Sequence, residues 1–484
     1  MENTHRIVVI GTGFAGIGMA VRLKQAGYDD FVVLERANDV GGTWRDNTYP
    51  GCRCDVPSHL YSFSFAPNPE WSSTFSPQPE IEQYLRDVTD RYDVRRHIRF
   101  GHTVESAKWE DGQWRVRTDQ GDFVAQFVFS GMGPLAEPSV PKLPGIEEFE
   151  GEVFHSARWN HDLDLAGRKV AVVGTGASAI QFVPAIQPEV EELHLFQRTP
   201  PWVMPRPDRK ITAVEKAAYR RFPLVQKAVR TAIYWGRESM VLGFAKLPRI
   251  MKQAQKVAEK HLEHQIRDPH LRAKLTPDFT LGCKRVLLSD EYYPALARPN
   301  VNVVTDGIAE VTPNAVVTHE GVKHEVDTII YGTGFRVTDL PVMDMVYGRD
   351  GRSLREAWAD GMEAHLGTAV AGFPNFFLLI GPNTGLGHSS MVFMIESQIA
   401  YIIDALREID AKGLREVEVR PEVQRAFVDG VRSSMQNTIW TRGGCMSWYL
   451  DAQGRNTTLW PTFTFRFRQL TRRFDAAEYQ TLAM

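Results

Sequence analysis

The sequence predicts an α/β protein built from two Rossmann-like dinucleotide-binding domains with a helical insertion. Three observations carry that prediction. Gly11-Thr-Gly-Phe-Ala-Gly16 lies between a short apolar run and a helical pattern. Gly174-Thr-Gly-Ala-Ser-Ala179 repeats the arrangement later in the chain. Residues 206–276 are rich in Lys, Arg, Ala and Gln, as befits a set of helices set into the second unit.

At 484 residues the chain is too long for one simple core, so two or three domains are expected. Hydrophobic and charged fractions of 43% and 24% belong to a soluble globular protein, not to a fibrous or disordered one. A net charge of −3 points to neither a nucleic-acid nor an anionic-membrane partner. No apolar run approaches the length that spans a bilayer. The N-terminus runs straight into Arg6-Ile-Val-Val-Ile10, which reads as a first strand and not a signal peptide. Cys52, Cys54, Cys283 and Cys445 are too few for a disulfide framework and point to a reducing compartment. A cytoplasmic protein without a membrane or nucleic-acid partner is the expectation.

In order along the chain, Arg6 to Ile10 suits a buried parallel strand. Gly11, Gly13 and Gly16 open a helix with Ala15, Met19, Leu23 and Ala26 on one face, and Gly27 stops it. The next strand, Phe31-Val-Val-Leu-Glu35, ends in an acid able to bind an adenosine ribose hydroxyl. The second unit runs from Lys169-Val-Ala-Val-Val173 through Gly174 and Gly176 to Leu193-His-Leu-Phe196. Ala179 takes the third glycine's place, where packing needs only a small side chain. Glu35 lies 24 residues after Gly11, and 24 residues after Gly174 stands Arg198. An arginine there pairs with a 2′-phosphate that a carboxylate would repel, so the second site suits NADPH over NADH.

Two further strands match each other: Ala125 to Phe129 runs into Ser-Gly-Met-Gly133, and Thr328 to Tyr331 runs into Gly-Thr-Gly334. A β-meander precedes each, with turns at Asp111-Gly112 and Gln120-Gly121, then at Pro313-Asn314 and Glu320-Gly321. No third nucleotide motif follows Gly334, so the chain is expected to return to the first domain. The expected limits are 1–148 and 332–484 for the first domain and 149–331 for the second, with no chemistry assigned to the insertion at 206–276.

The stretch Gly41-Gly42-Thr43-Trp44, Tyr49-Pro-Gly51 and Cys52-Arg-Cys-Asp55 has glycines that let backbone approach a flat cofactor. Trp44 and Tyr61 offer aromatic faces. A buried Asp55 needs a cationic partner. The candidate is at Gly282-Cys-Lys284-Arg285, where a charge pair enters the strand-like Val286-Leu-Leu288; a solvated basic turn is the plainer alternative. Cys52 and Cys54 are spaced poorly for Cys-x-x-Cys redox chemistry, and the four cysteines fit no common zinc frame, so no metal is expected. Between the two nucleotide units lies Phe149-Glu-Gly151-Glu-Val-Phe-His155-Ser-Ala-Arg-Trp159, a pattern that secondary structure alone does not explain.

These residues resemble the flavoprotein monooxygenases of the Baeyer–Villiger type. Phe149-x-Gly151-x-x-x-His155-x-x-x-Trp159 matches that family's fingerprint, and Gly42-x-Trp44-x4-Tyr49-Pro-Gly51-x3-Asp55 its second signature. The likeness extends over nearly the whole chain, through Gln197-Arg-Thr-Pro200, Lys284-Arg285, Gly332-Thr-Gly334, Gly381-Pro and His388-Ser-Ser-Met391. It departs at Asn160, where Pro or Asp is common, and at Gly332, where Ala is common.

The resemblance implies FAD in the first site, NADPH in the second, and insertion of one oxygen from O₂ beside a ketone carbonyl, through a peroxyflavin, to give an ester or lactone. By the same resemblance Arg285 stabilises the anionic species and Asp55 holds or tunes it. Glu35, Gly42, Thr43, Trp44, Asp55, Tyr61, Val104 and Met391 would contact FAD. Thr175, Gly176, Ala177, Ser178, Ala179 and Gln181 would cradle the NADPH pyrophosphate, with Arg198, Thr199 and Lys284 on its 2′-phosphate. The fingerprint's position suggests a hinge in which Gly151 supplies backbone freedom while His155 and Trp159 anchor the joint. The aromatic C-terminal stretch, Trp440, Gly443-Gly-Cys-Met446-Ser-Trp448-Tyr449 and Leu459-Trp-Pro461, reads first as core and secondarily as pocket lining. Rival readings are an N- or S-oxidising flavin monooxygenase, an NADPH–flavin or disulfide reductase, and an NADPH-binding sensor. Trp159 and Arg285 favour the ketone reading.

Overall fold

The computed structural model describes residues 3–445, 447–451 and 453–483; Met446 of the C-terminal aromatic stretch lies outside them. Two sheets organise the chain. The first has eight strands, running from Val346–Tyr347 through Val104–Glu110, Gln113–Thr118, Gly121–Ser130, Asn3–Ile10 and Phe31–Leu34 to Ile98–Arg99, with Phe376–Leu378 also on Gly121–Ser130. Its nucleotide-binding half is parallel, and the meander 104–130 is antiparallel. Ile7, Val8 and Val9 are wholly inaccessible, because a central parallel strand is covered on both faces and needs apolar residues without alternation.

The second sheet is parallel throughout, in the order Val301–Val304, Glu192–Phe196, Lys169–Val173, Thr328–Tyr331, Glu152–His155. The second meander stands beside it as a separate three-stranded sheet, Ile308–Thr312, Ala315–Thr318 and Lys323–Glu325. After residue 334 the chain supplies strands Val346–Tyr347 and Phe376–Leu378 to the first sheet. It then lays the helix Met391–Lys412 against the helix Phe14–Gln25. No helix among the described residues is long and apolar enough to cross a membrane.

The insertion consists of helices Ala213–Arg221, Pro223–Ser239, Pro248–Gln265 and Pro269–Leu275. Their starts are written locally: Thr212 and Glu215 form a capping box, and the other three begin with proline, whose fixed φ and missing N–H suit a first turn.

One bond was not anticipated from the sequence. Cys283 and Cys445, 162 residues apart, are joined in a disulfide, so only Cys52 and Cys54 are free thiols. The count of four cysteines misled because pairing depends on where the fold brings two chains together. Here the 443–445 segment returns onto the residue before Lys284.

Three buried histidines, His59, His155 and His365, are each pushed down by burial from an ordinary value of 6.5 to about 4. They stay neutral in the fold, whereas the unfolded chain takes up these protons near pH 6.5. Stability is therefore expected to be complete above about pH 6.5 and to decline as pH falls toward about 4, since the unfolded state then binds more protons. Urea midpoints across that range check it. His59→Gln should flatten part of the slope, and an unchanged slope would contradict the assignment.

Candidate active site

A single cavity of about 2000 Å³ is lined by both glycine turns. It exceeds the ~300–1,000 Å³ of an ordinary small-molecule pocket, as a site shared by two nucleotides would require. At the first turn Gly11 has φ +93°, and its N–H donates to the Leu34 carbonyl at 2.8 Å. A Cβ on Gly16 would lie 1.8 Å from the Gly11 carbonyl oxygen, so only glycine closes this turn. Glu35 is buried, and its carboxylate accepts from the Thr12 N–H at 3.0 Å and the Thr12 hydroxyl at 2.5 Å. It also accepts from the Ala37 N–H at 2.9 Å and pairs with Arg45 at 3.0 Å. Its carboxylate is thus fixed where it borders the cavity. Thr43, Trp44, Tyr61, Val104 and Met391 line the same space, with the Trp44 indole N–H donating to the Tyr61 hydroxyl at 3.1 Å.

At the second turn Gly174 has φ +107°, and a Cβ there would meet the Gly332 carbonyl oxygen at 2.6 Å. The departures at Ala179 and Gly332 explain each other: a Cβ on Gly332 would come within 3.1 Å of the Ala179 methyl. The methyl sits on one side of the contact and is missing from the other. Gly332→Ala alone is expected to cost about 1–3 kcal/mol through overpacking. Combined with Ala179→Gly it should recover most of that loss in a urea melt. An additive double variant would refute the exchange.

Thr175 donates through its hydroxyl to the Thr199 carbonyl at 3.1 Å, and Gly176 and Ala177 are exposed to the cavity. Gln181 also lines the cavity, and its side chain is held by the first unit. Its side chain accepts from the Tyr49 hydroxyl and Arg53 N–H at 3.1 and 3.2 Å and donates to the Arg53 carbonyl at 3.1 Å. It ties the second unit's helix to the 49–55 stretch of the first. Lys284 lies over the Phe279 ring at 4.8 Å. Burial lowers its amine from the ordinary value, and the nearby charge of Arg198 lowers it further. Two cations converging on one cavity wall repel each other until an anion sits between them.

Asp55 and Arg285, 230 residues apart, form a bidentate pair. Arg285 Nε donates to Oδ2 at 2.8 Å and Nη2 to Oδ1 at 2.6 Å. The backbone of Arg285 is held by the short strand Leu287–Leu288, which pairs in parallel with Val203–Met204. Burial opposes the charged form of Asp55, but the Arg285 guanidinium outweighs it and holds the carboxyl below its ordinary range. Asp55 in turn raises Arg285, which stays charged at any working pH. Both border the cavity.

Two neighbours join the pair, one from the insertion that sequence reasoning left without chemistry and one from the aromatic C-terminal stretch. Arg237, in the insertion helix Pro223–Ser239, donates to the Asp55 carbonyl at 3.3 Å and lends it a second positive charge. Tyr449 is buried, with its hydroxyl beside the guanidinium but without a hydrogen bond of good geometry. Burial pushes that phenol up to about 12, with Arg285 pulling against it.

The family model for flavin-binding monooxygenase-like proteins matches residues 4–347. A Baeyer–Villiger monooxygenase of Streptomyces coelicolor is 55% identical over 488 residues, spanning 99% of this chain and 94% of that one. Another, from Pseudomonas aeruginosa, is 52% identical over 478 residues, spanning 98% and 91%. The chain belongs to the Baeyer–Villiger monooxygenases. A closed crystal structure of cyclohexanone monooxygenase superposes with a TM-score of 0.88 at 30% identity, and 100% of each chain is covered. The cyclohexanone monooxygenase from Rhodococcus sp. Phi1 bound to NADP⁺ gives 0.87 at 29% identity, with the same coverage.

In this Baeyer–Villiger monooxygenase the fingerprint is an edge strand, Glu152–His155, followed by a short turn. Gly151 does not supply backbone freedom. Its φ is not left-handed, and a Cβ would lie 2.1 Å from the Asp327 carbonyl oxygen, so close approach is what requires glycine. His155 accepts from the Ala157 N–H at 3.0 Å and borders the cavity. Trp159 packs on Phe154 and Phe182 with ring centroids 5.2 and 5.4 Å away, and Phe149 packs beside the second meander.

The insertion, read from sequence as chemically silent, also carries the buried Glu238. Its carboxylate accepts from the Thr464 N–H at 2.9 Å and hydroxyl at 2.7 Å, and His388 Nε2 lies 3.2 Å away. Ser389 and Met391, just beyond His388, line the cavity. Nothing local in the sequence singled out this acid: the helix buries Gln226 and Glu238 while Leu224 and Trp235 are exposed. Cys52 and Cys54 are buried and unpaired, and burial pushes the Cys52 thiol up to about 11, which suits packing and not redox work.

Proposed function

We propose that the monooxygenase holds FAD along the Gly11–Gly16 turn and NADPH along the Gly174–Ala179 turn, and that Arg285 and Asp55 serve the oxygen insertion. The protein uses NADPH and O₂ to insert one oxygen atom beside a ketone carbonyl, giving an ester or lactone. Bound flavin supplies the hydride acceptance and oxygen activation that no side chain can supply. The remaining work belongs to the chain.

Glu35 receives the ribose of FAD, with Gly42, Thr43, Trp44, Tyr61, Val104 and Met391 around the rest of it. Thr175 through Ser178 present backbone to the NADPH pyrophosphate, while Arg198, Thr199 and Lys284 take the 2′-phosphate. Arg285 stabilises negative charge on the former ketone oxygen without giving up a proton. Asp55 fixes its plane, and Arg237 adds a second positive charge to the one by which Arg285 keeps Asp55 ionised. His155 and Trp159 secure the joint between the two nucleotide units, whose limits we take as 1–148 with 332–484, and 149–331. Thioethers are a second substrate class, and the cytoplasm, which supplies NADPH, the proposed compartment.

The observation that carries this reading is the bidentate Arg285–Asp55 pair on a cavity shared by both glycine turns. Product analysis by mass spectrometry on cyclic, linear and aryl ketones tests it. NADPH-dependent gain of one oxygen atom as an ester is expected. Oxygenation confined to amines or sulfides, with every ketone returned unchanged, would refute the ketone assignment.

A further inference from the structure

The Cys283–Cys445 bond lies at a place with consequences. Cys283 is inaccessible and directly precedes Lys284 and Arg285. Cys445 is partly exposed and stands three residues before Trp448, which lines the cavity. Gly443 is built around the bond: a Cβ there would fall 2.5 Å from Cys283 Cβ and 2.7 Å from its sulfur. Before the bond, the chain is anchored by Trp440 stacked on Phe244 and by the Thr280 N–H on the Gly443 carbonyl at 3.1 Å. After it, Tyr449 is buried next to Arg285. Among the described residues between these anchors, the disulfide is the covalent tie to the rest of the fold, with Cys445 packed against the cluster that holds Trp202 and Trp440.

We propose that Cys283–Cys445 is a reversible thiol–disulfide site that sets how firmly the Trp448–Tyr449 segment is held against Lys284 and Arg285. In the forward direction the two thiols give up two electrons and two protons to a peroxide, whose O–O bond breaks to two hydroxyl-bearing products as the S–S bond forms. In reverse a dithiol attacks the accessible Cys445 sulfur, Cys283 leaves as a thiolate and takes a proton, and the second thiol of the reductant releases Cys445. The oxidised form keeps Trp448 on the cavity wall and slows nucleotide exchange. The reduced form frees the segment. The nucleotide part of this inference rests on the assignment of NADPH to the second turn.

The test uses the full-length, FAD-loaded protein. After peroxide treatment, denaturation and alkylation without reductant, two of the four cysteines should carry label, and all four after dithiothreitol. Hydrogen exchange of peptides covering 444–450 should rise on reduction. The Kd for NADP⁺ should rise on the order of fivefold and return on reoxidation, a coupling of ordinary size. Cys445→Ser should show the weaker Kd and faster exchange without reductant, and no response to it. Four labelled cysteines in the peroxide-treated protein would overturn the proposal, as would exchange unaltered by reduction. Faster exchange with no NADP⁺ binding in either form supports the latch and fails the nucleotide assignment instead.

Discussion

Arg285→Ala is expected to leave flavin reduction by NADPH largely intact while ester formation falls at least about 100-fold, the loss typical of removing one donor to a developing oxyanion. The expectation follows from the geometry of the pair. Asp55 takes Nε and Nη2 of the guanidinium, so its plane is set before substrate arrives. The charge cannot be lost to a base, because Asp55 raises the guanidinium further above an already high value. Removing the arginine also strands a carboxylate that no longer has a hydrogen-bonded cation and keeps only the nearby charge of Arg237, so some loss of thermal stability should accompany the loss of activity. Stopped-flow reduction and ester quantification on the same flavin-replete sample separate the two effects. Ester formation at near the parent rate would end the case for Arg285.

Arg198→Ala should lower the NADPH-over-NADH ratio of kcat/KM by about 10- to 100-fold, the worth of one charge-assisted contact to phosphate. The loss should fall on NADPH alone. NADH has no group to place between Arg198 and Lys284, so its kcat/KM should stay within about twofold. Removing Arg198 also relieves the repulsion that lowers the Lys284 amine, so Lys284 compensates in part. Arg198→Ala with Lys284→Ala should therefore lose more than the product of the two single effects. A parent enzyme that uses both nucleotides equally would contradict the phosphate site.

Much of the scaffold was legible because its signals are local. The glycine turns sit between apolar runs with the acid and the arginine in matching places, and each meander carries its turn residues in sequence. Asp55 and Arg285 were legible for another reason: each is a charge where a charge is costly, and the two needed each other. What stayed hidden depends on chain segments meeting at long range. Gly151 looked like a hinge because the Asp327 carbonyl that crowds it comes from the residue just before the partner strand Thr328–Tyr331, far along the chain. Arg237 and Glu238 looked like ordinary members of an amphipathic helix, since a 3.6-residue period says which face is buried but not against what. The cysteine count could not foresee a bond closing a 162-residue separation.

The helix Pro223–Ser239 limits how such enzymes can be recombined. A helical insertion on the surface invites exchange between relatives as a cassette for new substrate ranges. Here consecutive residues of that helix reach two separate places, the Asp55 carbonyl and the His388–Thr464 region. A chimera that imports a helix without both an arginine and an acid in those places leaves Asp55 short of positive charge and a buried imidazole without its acid. Donor insertions are best screened on that dipeptide before overall similarity.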